Sequence, residues 1–349
     1  MKNYLKFLPA VLAVALLFAS CDKKKNDPVD ELPKDVVIPE VLFESYYVGD
    51  YYENGVSGNL LVNFVTGNID LNEDETEYIG NGQIVCLDLN IALPLTVEEA
   101  DQLHLPEGTY SLSDDNHAPF TWNAEESYVI KVENDKAVID EVTFKEGDLV
   151  IEKTANGVKL VLKAKLKDDT DFSYEYEGLD RIINHSDDSK FTNLDKDVKV
   201  KNLVAAAYSN LGDVVGDGKT NTWVVSLGDK YYDFKQEYGN GESVLLFLNV
   251  EPDAKELPEG KITEFADLNY TEVLEPNTLV AGYFMWGTYG GTWYKCPAYA
   301  YEAAIVGGEV EIVKTGDDTY SITGTLKDAY QKTVSFSYSG EVKQMEYKE

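Results

Sequence analysis

Val158-Lys159-Leu160-Val161-Leu162-Lys163-Ala164-Lys165-Leu166-Lys167-Asp168 is the stretch that decides the fold. Leu160, Leu162, Ala164 and Leu166 alternate with Lys159, Lys163, Lys165 and Lys167. A period of two turns one set toward a core and the other toward water, which is the pattern of a half-buried strand. The chain continues in the same rhythm: Phe172, Tyr174 and Tyr176 alternate with Ser173, Glu175 and Glu177 and stop at Gly178. Both runs return near the C-terminus, the first as Tyr320, Ile322, Gly324 and Leu326, the second as Val334, Phe336 and Tyr338, stopping at Gly340.

The return is part of a longer self-match at a spacing of about 160 residues. Gly80-Asn81-Gly82-Gln83-Ile84-Val85-Cys86-Leu87-Asp88-Leu89-Asn90 matches Gly239-Asn240-Gly241-Glu242-Ser243-Val244-Leu245-Leu246-Phe247-Leu248-Asn249. Leu105-Pro106-Glu107-Gly108 matches Leu257-Pro258-Glu259-Gly260, and Leu166-Lys167-Asp168 matches Leu326-Lys327-Asp328. Matches in the same order with alternation preserved predict a tandem duplication, one copy over 41–190 and the other over 198–349, joined by the polar stretch His185 to Asp197. Short alternating runs broken by Asn-Gly, Gly-Asp and Asp-Asp turns predict an all-β chain of two antiparallel meander domains, each a β-sandwich or a flattened lipocalin-like barrel. Val97 to Leu103, before the first Leu-Pro-Glu-Gly, is the one predicted helical turn.

Ahead of the copies lie Lys2 and Lys6, an apolar run from Leu8 to Phe18, and Ala19-Ser20 against Cys21. A basic start, a short apolar run and small residues at a cut describe an export signal over 1–20. Leu16-Leu17-Phe18-Ala19-Ser20-Cys21 resembles a bacterial lipoprotein signal, with Phe18 where leucine is usual. The resemblance implies cleavage before Cys21 and lipidation of its thiol. Residues 21–40 hold Asp22-Lys23-Lys24-Lys25-Asn26-Asp27 and prolines at 28, 33 and 39. This composition predicts an acidic, proline-bearing tether with a reach of about 25 Å. Signal, tether and tandem β domains together resemble the cell-surface lipoproteins of Bacteroidota. That likeness implies a lipid-anchored protein of the cell envelope placed at the outer membrane, where some relatives face outward; Asp22-Lys23-Lys24 after the cysteine departs from the lysine-then-acidic-pair signal of those relatives.

The chain carries 30 Lys and Arg against 63 Asp and Glu, a formal charge of −33, and cleavage of the signal removes two of the lysines. Such a surface repels phosphate backbones and anionic headgroups, so nucleic acid is excluded as a partner and membrane attachment falls to the lipid. Beyond Cys21 only Cys86 and Cys296 remain, at non-equivalent positions of the two copies, which predicts two free thiols rather than a disulfide. Aligning the copies puts Val85, Leu87, Leu89 and Ile91 on the buried face and Cys86 opposite.

Motifs of chemistry are few. His104, His117 and His185 are scattered, no His-Glu-x-x-His or paired-cysteine spacing gives a zinc ligand set, and no nucleophile elbow or phosphate loop is present. The acidic loops Asp70 to Glu77, Asp187 to Asp197 and Asp213 to Asn221 do not follow the calcium-loop spacing. No metal, no cofactor and no catalytic activity are therefore expected.

The recognition candidate is Tyr283-Phe284-Met285-Trp286-Gly287-Thr288-Tyr289-Gly290-Gly291-Thr292-Trp293-Tyr294-Lys295. Gly290-Gly291 reads as a two-residue hairpin turn. A turn there pairs Trp286 with Lys295 and places Phe284, Trp286, Trp293 and Lys295 on one side as a ligand-binding face, with Tyr283, Met285, Tyr289, Tyr294 and Cys296 on the other. The first copy has a thinner counterpart in Phe120 and Trp122. The function expected is a noncatalytic binding or adhesion module with a carbohydrate or a protein as partner. The alternatives are a structural component of a surface assembly and a lipocalin-like carrier of a small apolar ligand.

Overall fold

The alternation of Val158 to Leu166 is realised at its apolar end points: Val158, Leu160, Leu162 and Leu166 are each 0% exposed and Lys163 and Lys167 face water, while Ala164, Lys159 and Lys165 are half-buried. These residues build one of 26 strands in a computed structural model that describes residues 41–72, 77–113, 117–155, 157–234, 238–239, 241–267, 274–285 and 288–345. The export signal, Cys21 and the tether lie outside the described residues, as does Trp286. The chain divides into two compact units, Met1–Asp188 and Ser189–Glu349. Among the described residues no helix is long and apolar enough to cross a membrane.

The first unit contains β1 (Val41–Tyr47), β2 (Ser57–Leu71), β3 (Tyr78–Ala92), helix α1 (Val97–Asp101), β4 (Gly108–Ser113), β5 (Thr121–Asn123), β6 (Tyr128–Val132), β7 (Ala137–Thr154), β8 (Gly157–Leu166), β9 (Asp171–Gly178) and β10 (Ile183–Asn184). Helix α1 forms where Thr96 and Glu99 make a capping box, the Thr96 hydroxyl accepting from Glu99 N and the Glu99 carboxylate from Thr96 N. The sheet runs β10-β1-β2-β3-β5-β4-β7-β8-β9, and β6 pairs with both β3 and β7. Five strands thus close a ring, β3-β5-β4-β7-β6, because β3 and β7 are long enough to hold two partners each along their length. Its filling is apolar and continuous with the main core, with Leu87, Leu89, Trp122, Val129, Phe144 and Leu149 all 0% exposed.

The second unit contains β11 (Val198–Lys199), β12 (Ala205–Asn210), β13 (Asn221–Gly228), β14 (Tyr232–Asp233), β15 (Tyr238–Gly239), β16 (Ser243–Val250), β17 (Gly260–Ile262), β18 (Phe265–Ala266), β19 (Thr278–Val280), β20 (Tyr283–Met285), β21 (Thr288–Gly290), β22 (Trp293–Cys296), β23 (Tyr301–Ala304), β24 (Gly307–Gly316), β25 (Thr319–Lys327) and β26 (Thr333–Gln344). Its main sheet runs β17-β24-β25-β26-β12-β13-β16-β19-β18, with β11 on β26 and with β22 between β16 and β23.

The two units share one plan. β1-β2-β3 corresponds to β12-β13-β16, β4 to the broken pair β17 and β18, β5 to β19, β6 to β22, and β8-β9 to β25-β26. Both copies break the simple meander in the same places. β4 meets β5 in parallel, as β18 meets β19, and the end of the last strand returns in parallel beside the first, β10 on β1 and β26 on β12. The expected antiparallel meander is therefore interrupted at these parallel pairs and holds within β1-β2-β3, β6-β7-β8-β9 and their counterparts.

Repeated residues explain repeated geometry. Tyr176 donates its hydroxyl to Leu179 O at 2.7 Å and Tyr338 to Glu341 O at 2.5 Å. A Cβ on Gly178 or Gly340 would lie 2.6 or 2.7 Å from that same hydroxyl, so glycine is required for the tyrosine to fold over the strand end. Asn90 and Asn249, the last residues of the longest match, hold the short strands β5 and β19 by donating to Thr121 Oγ1 (3.0 Å) and Thr278 Oγ1 (2.9 Å). Asn249 also accepts from Thr222 Oγ1 at 2.9 Å, whereas Asn90 Oδ1 is buried without a partner among the described residues. Asn249→Ala is accordingly expected to destabilise its unit by about 2 kcal/mol, and Asn90→Ala by less, because fewer satisfied bonds are lost in the first copy. Equal losses in chemical denaturation would contradict this.

The copies differ on the outer face of the central strands. Ile84 through Ile91 are buried without interruption, so Cys86, assigned to the face opposite the core, is itself 1% exposed. It belongs to a second apolar cluster with Val65, Ile69, Ile84, Tyr128, Ile130 and Val132. The matching positions Leu245 and Phe247 are only half-buried.

Candidate functional site

The aromatic stretch 283–295 is built differently from its sequence reading. β20 pairs with β21 as Tyr283↔Gly290, Phe284↔Tyr289 and Met285↔Thr288, so the connecting residues are Trp286 and Gly287 rather than Gly290-Gly291. The paired glycines instead carry the chain from this hairpin into β22. Gly291 has φ +74°, and a Cβ on it would lie 2.0 Å from Ala281 O, while one on Gly290 would lie 2.1 Å from the Tyr283 ring. Close approach of the Tyr283 ring at Gly290 and of the Ala281 backbone at Gly291, not a reversal of direction, is what selects glycine here.

This register brings Phe284, Trp293 and Lys295 together with Tyr289; Trp286, expected among them, lies outside the described residues. Trp293 and Lys295 stand on the outer face of β22. Trp293 is 1% exposed and its Nε1 donates to Gly290 O at 2.7 Å. Tyr289 meets it edge-on with ring centroids 4.9 Å apart, Phe284 lies 4.8 Å from Tyr289, and Phe191 lies 5.6 Å from Phe284. Lys295 Nζ sits 3.2 Å from the Tyr289 ring centroid and 5.2 Å from that of Trp293. The same ammonium lies 3.7 Å from Glu302 Oε2, which also accepts from Tyr289 OH at 3.2 Å. Burial pulls the Lys295 ammonium below its usual range, and Glu302 opposes the shift. The Trp293 indole is thus enclosed by its own chain, with Tyr289 and Lys295 over it. Tyr294 and Cys296, on the other side of β22, enter the main core as expected.

The segment 189–195, part of the predicted linker, belongs to this site. Asn193 Oδ1 accepts from Glu302 N at 2.9 Å, its Nδ2 donates to Ala300 O at 2.8 Å, and Thr192 Oγ1 donates to Asp328 Oδ2 at 2.7 Å. Asp328 is 0% exposed, whereas its first-copy match Asp168 faces water. The first-copy counterpart of Trp293 is Tyr128: Cys86 pairs with Tyr128 where Leu245 pairs with Trp293. Of the residues read as the counterpart, Trp122 is fully buried in the ring and Phe120 is 40% exposed with φ +64°.

A polar network in the first unit escaped the sequence reading. Asp88, 6% exposed, accepts from Asn59 Nδ2 at 2.7 Å, and its backbone N donates to Ser127 Oγ at 2.9 Å. Asn123 Nδ2 donates to Tyr52 OH at 3.0 Å, and the Tyr52 ring stacks on His117 at 3.4 Å. Burial pushes the Asp88 carboxyl up to about 7, against the Asn59 hydrogen bond. Glu44 on β1 is also pushed up to about 7 by burial, and its Oε2 has no hydrogen-bond partner among the described residues. Aspartate among 63 acidic residues gives no sequence signal; only its place in the strand register marks Asp88.

Cys86 and Cys296 are buried free thiols, and burial raises both, Cys296 to about 12, which keeps them protonated and unreactive. Among the described residues no three His, Cys, Asp or Glu side chains converge as metal ligands. No protein-family model matches the chain, and neither the curated proteins nor the solved structures include one similar to it.

Proposed function

We propose that the chain is a lipid-anchored protein of the cell envelope, attached through Cys21, that acts as a noncatalytic binding module for a glycan or a protein surface. The observation that carries this reading is the β20–β21 hairpin. It forms a two-stranded sheet of its own, outside the hydrogen-bonded ladder of the second unit, and rests on that unit through the Phe191, Phe284, Tyr289 and Trp293 rings and the Lys295–Glu302 pair. A short element held by rings on a rigid sheet is a common way to present recognition residues. Aromatic rings with an adjoining ammonium suit the apolar face and hydroxyls of a sugar.

The filled cores favour the outside of the scaffold over its interior as the binding surface. Trp122, Phe144 and Leu149 occupy the first ring, which supports a binding module over a carrier of an internal ligand. Glycan-array retention of the full chain tests the reading. Phe284→Ala and Trp286→Ala are each expected to lower retention at least about tenfold, as loss of a stacking ring does. Retention unchanged in both variants would refute the hairpin as the binding element.

A further inference from the structure

Beside α1 an open groove of about 530 Å³ is lined by Glu98, Gln102, Leu103, His104, Pro106 and Lys153, a size within the range of small-ligand clefts. The internal repeat shows what is unusual about it. Gly108 pairs with Ile151 and Gly260 with Ile312, so Lys153 of the first copy corresponds to Lys314 of the second. Leu105 matches Leu257, so His104 corresponds to Glu256. In the second copy Lys314 Nζ binds Glu256 Oε2 at 2.6 Å, and Lys314 N donates to Glu259 Oε2 at 3.3 Å. The position is closed by the chain's own carboxylate.

The first copy lacks that partner. His104 turns its Nδ1 to Asp180 Oδ1 at 3.0 Å, with Asp180 8% and His104 45% exposed, which fixes the imidazole and leaves its other edge at the groove. Lys153 makes no ion pair among the described residues. The inserted α1 adds a wall: Gln102 Nε2 is buried in it without a hydrogen-bond partner among the described residues, and Glu99 caps the helix, leaving Glu98 as the wall's exposed carboxylate. Leu103 and Pro106, both half-buried, supply an apolar floor.

We propose that this groove binds an acidic sugar. The ligand carboxylate takes the place on Lys153 that Glu256 takes on Lys314. Ring hydroxyls meet Gln102, His104 and Glu98, and the apolar face of the ring lies on Leu103 and Pro106. A charge-assisted contact to a ligand carboxylate supplies the affinity that the internal ion pair supplies in the other copy. The overall negative charge of the chain opposes entry at low salt and is screened within about 8 Å at physiological ionic strength.

An NMR titration of the full chain with glucuronate, with glucose and acetate as comparisons, tests this. Saturable shifts at Gln102, His104 and Lys153 are expected with glucuronate, with about tenfold weaker binding of glucose and of acetate. Lys153→Gln, at an exposed position that leaves the core untouched, is expected to weaken glucuronate binding about tenfold. His104→Glu, which restores the second copy's arrangement, is expected to abolish it, and Lys314→Gln to leave it unchanged. Absence of saturable shifts, equal affinity in Lys153→Gln, or equally tight binding of glucose or acetate would each overturn the assignment.

Discussion

Trp293→Ala is expected to destabilise the second unit by about 3–5 kcal/mol, the range for removing a large aromatic ring from a closed site. The indole is 1% exposed, its Nε1 is satisfied by Gly290 O, and Tyr289 packs edge-on against it. Removing it opens a cavity beneath the hairpin and takes away the ring that fixes Tyr289. Lys295 then loses one of the two aromatic faces near its ammonium, although Glu302 still holds it. Urea denaturation of the full chain, followed by tryptophan-independent far-UV signal, measures the loss. A change below about 1 kcal/mol, typical of a surface residue, would mean that the ring is not part of the packed unit. The consequence for function is direct: a binding defect in this variant reports lost structure, so Phe284 and Trp286 are the informative positions.

Stability is expected to fall as pH rises from about 4.5 to 7, and Glu44 and Asp88 are expected to account for most of that slope. Both carboxyls are raised from their ordinary values, 4.5 for Glu44 and 3.8 for Asp88, to about 7, chiefly by burial. Folded chains therefore keep protons on these groups that unfolded chains release. The stabilisation is fully present below the unfolded values and is lost as pH passes the folded ones, because a carboxylate is then held out of water without a cation beside it. Each group contributes roughly 3 kcal/mol over this interval. Glu44→Gln with Asp88→Asn keeps the shapes and removes the titration, so the urea midpoint of the double variant is expected to depend on pH far less than that of the wild type. The general repulsion of a chain with charge −33 acts on both proteins alike and cancels in the comparison. Parallel pH profiles for the two proteins would show that neither carboxyl is responsible.

Much of the architecture was legible because burial on one face leaves a period-two record. Leu160, Leu162 and Leu166 and their matches Ile322 and Leu326 are all 0% exposed, as the alternation requires. The helical turn was expected over Val97 to Leu103 and forms over Val97–Asp101, its start fixed by the local contact of Thr96 with Glu99. The pairing of Gly290 and Gly291 was not. Glycine is selected both by tight turns and by close approach of backbone, and sequence does not separate the two; here Ala281 O and the Tyr283 ring made the difference. Asn90 and Asn249 were visible as a repeated pair, but an asparagine ending a strand reads as solvent-facing until Thr121 and Thr278 are brought beside it.

The residues in order determined an all-β chain copied once, since side-chain alternation and in-register repetition are properties of neighbours along the backbone. Tertiary structure alone decided which repeated positions diverged. Lys314 keeps its carboxylate and Lys153 does not, Asp328 is buried and Asp168 is not, and Cys86 lies in a second apolar cluster while Leu245 is half-buried. Each of these depends on a residue far away in sequence, such as Asp180, Thr192 or Tyr128, and contacts of that kind leave no periodic trace in the chain.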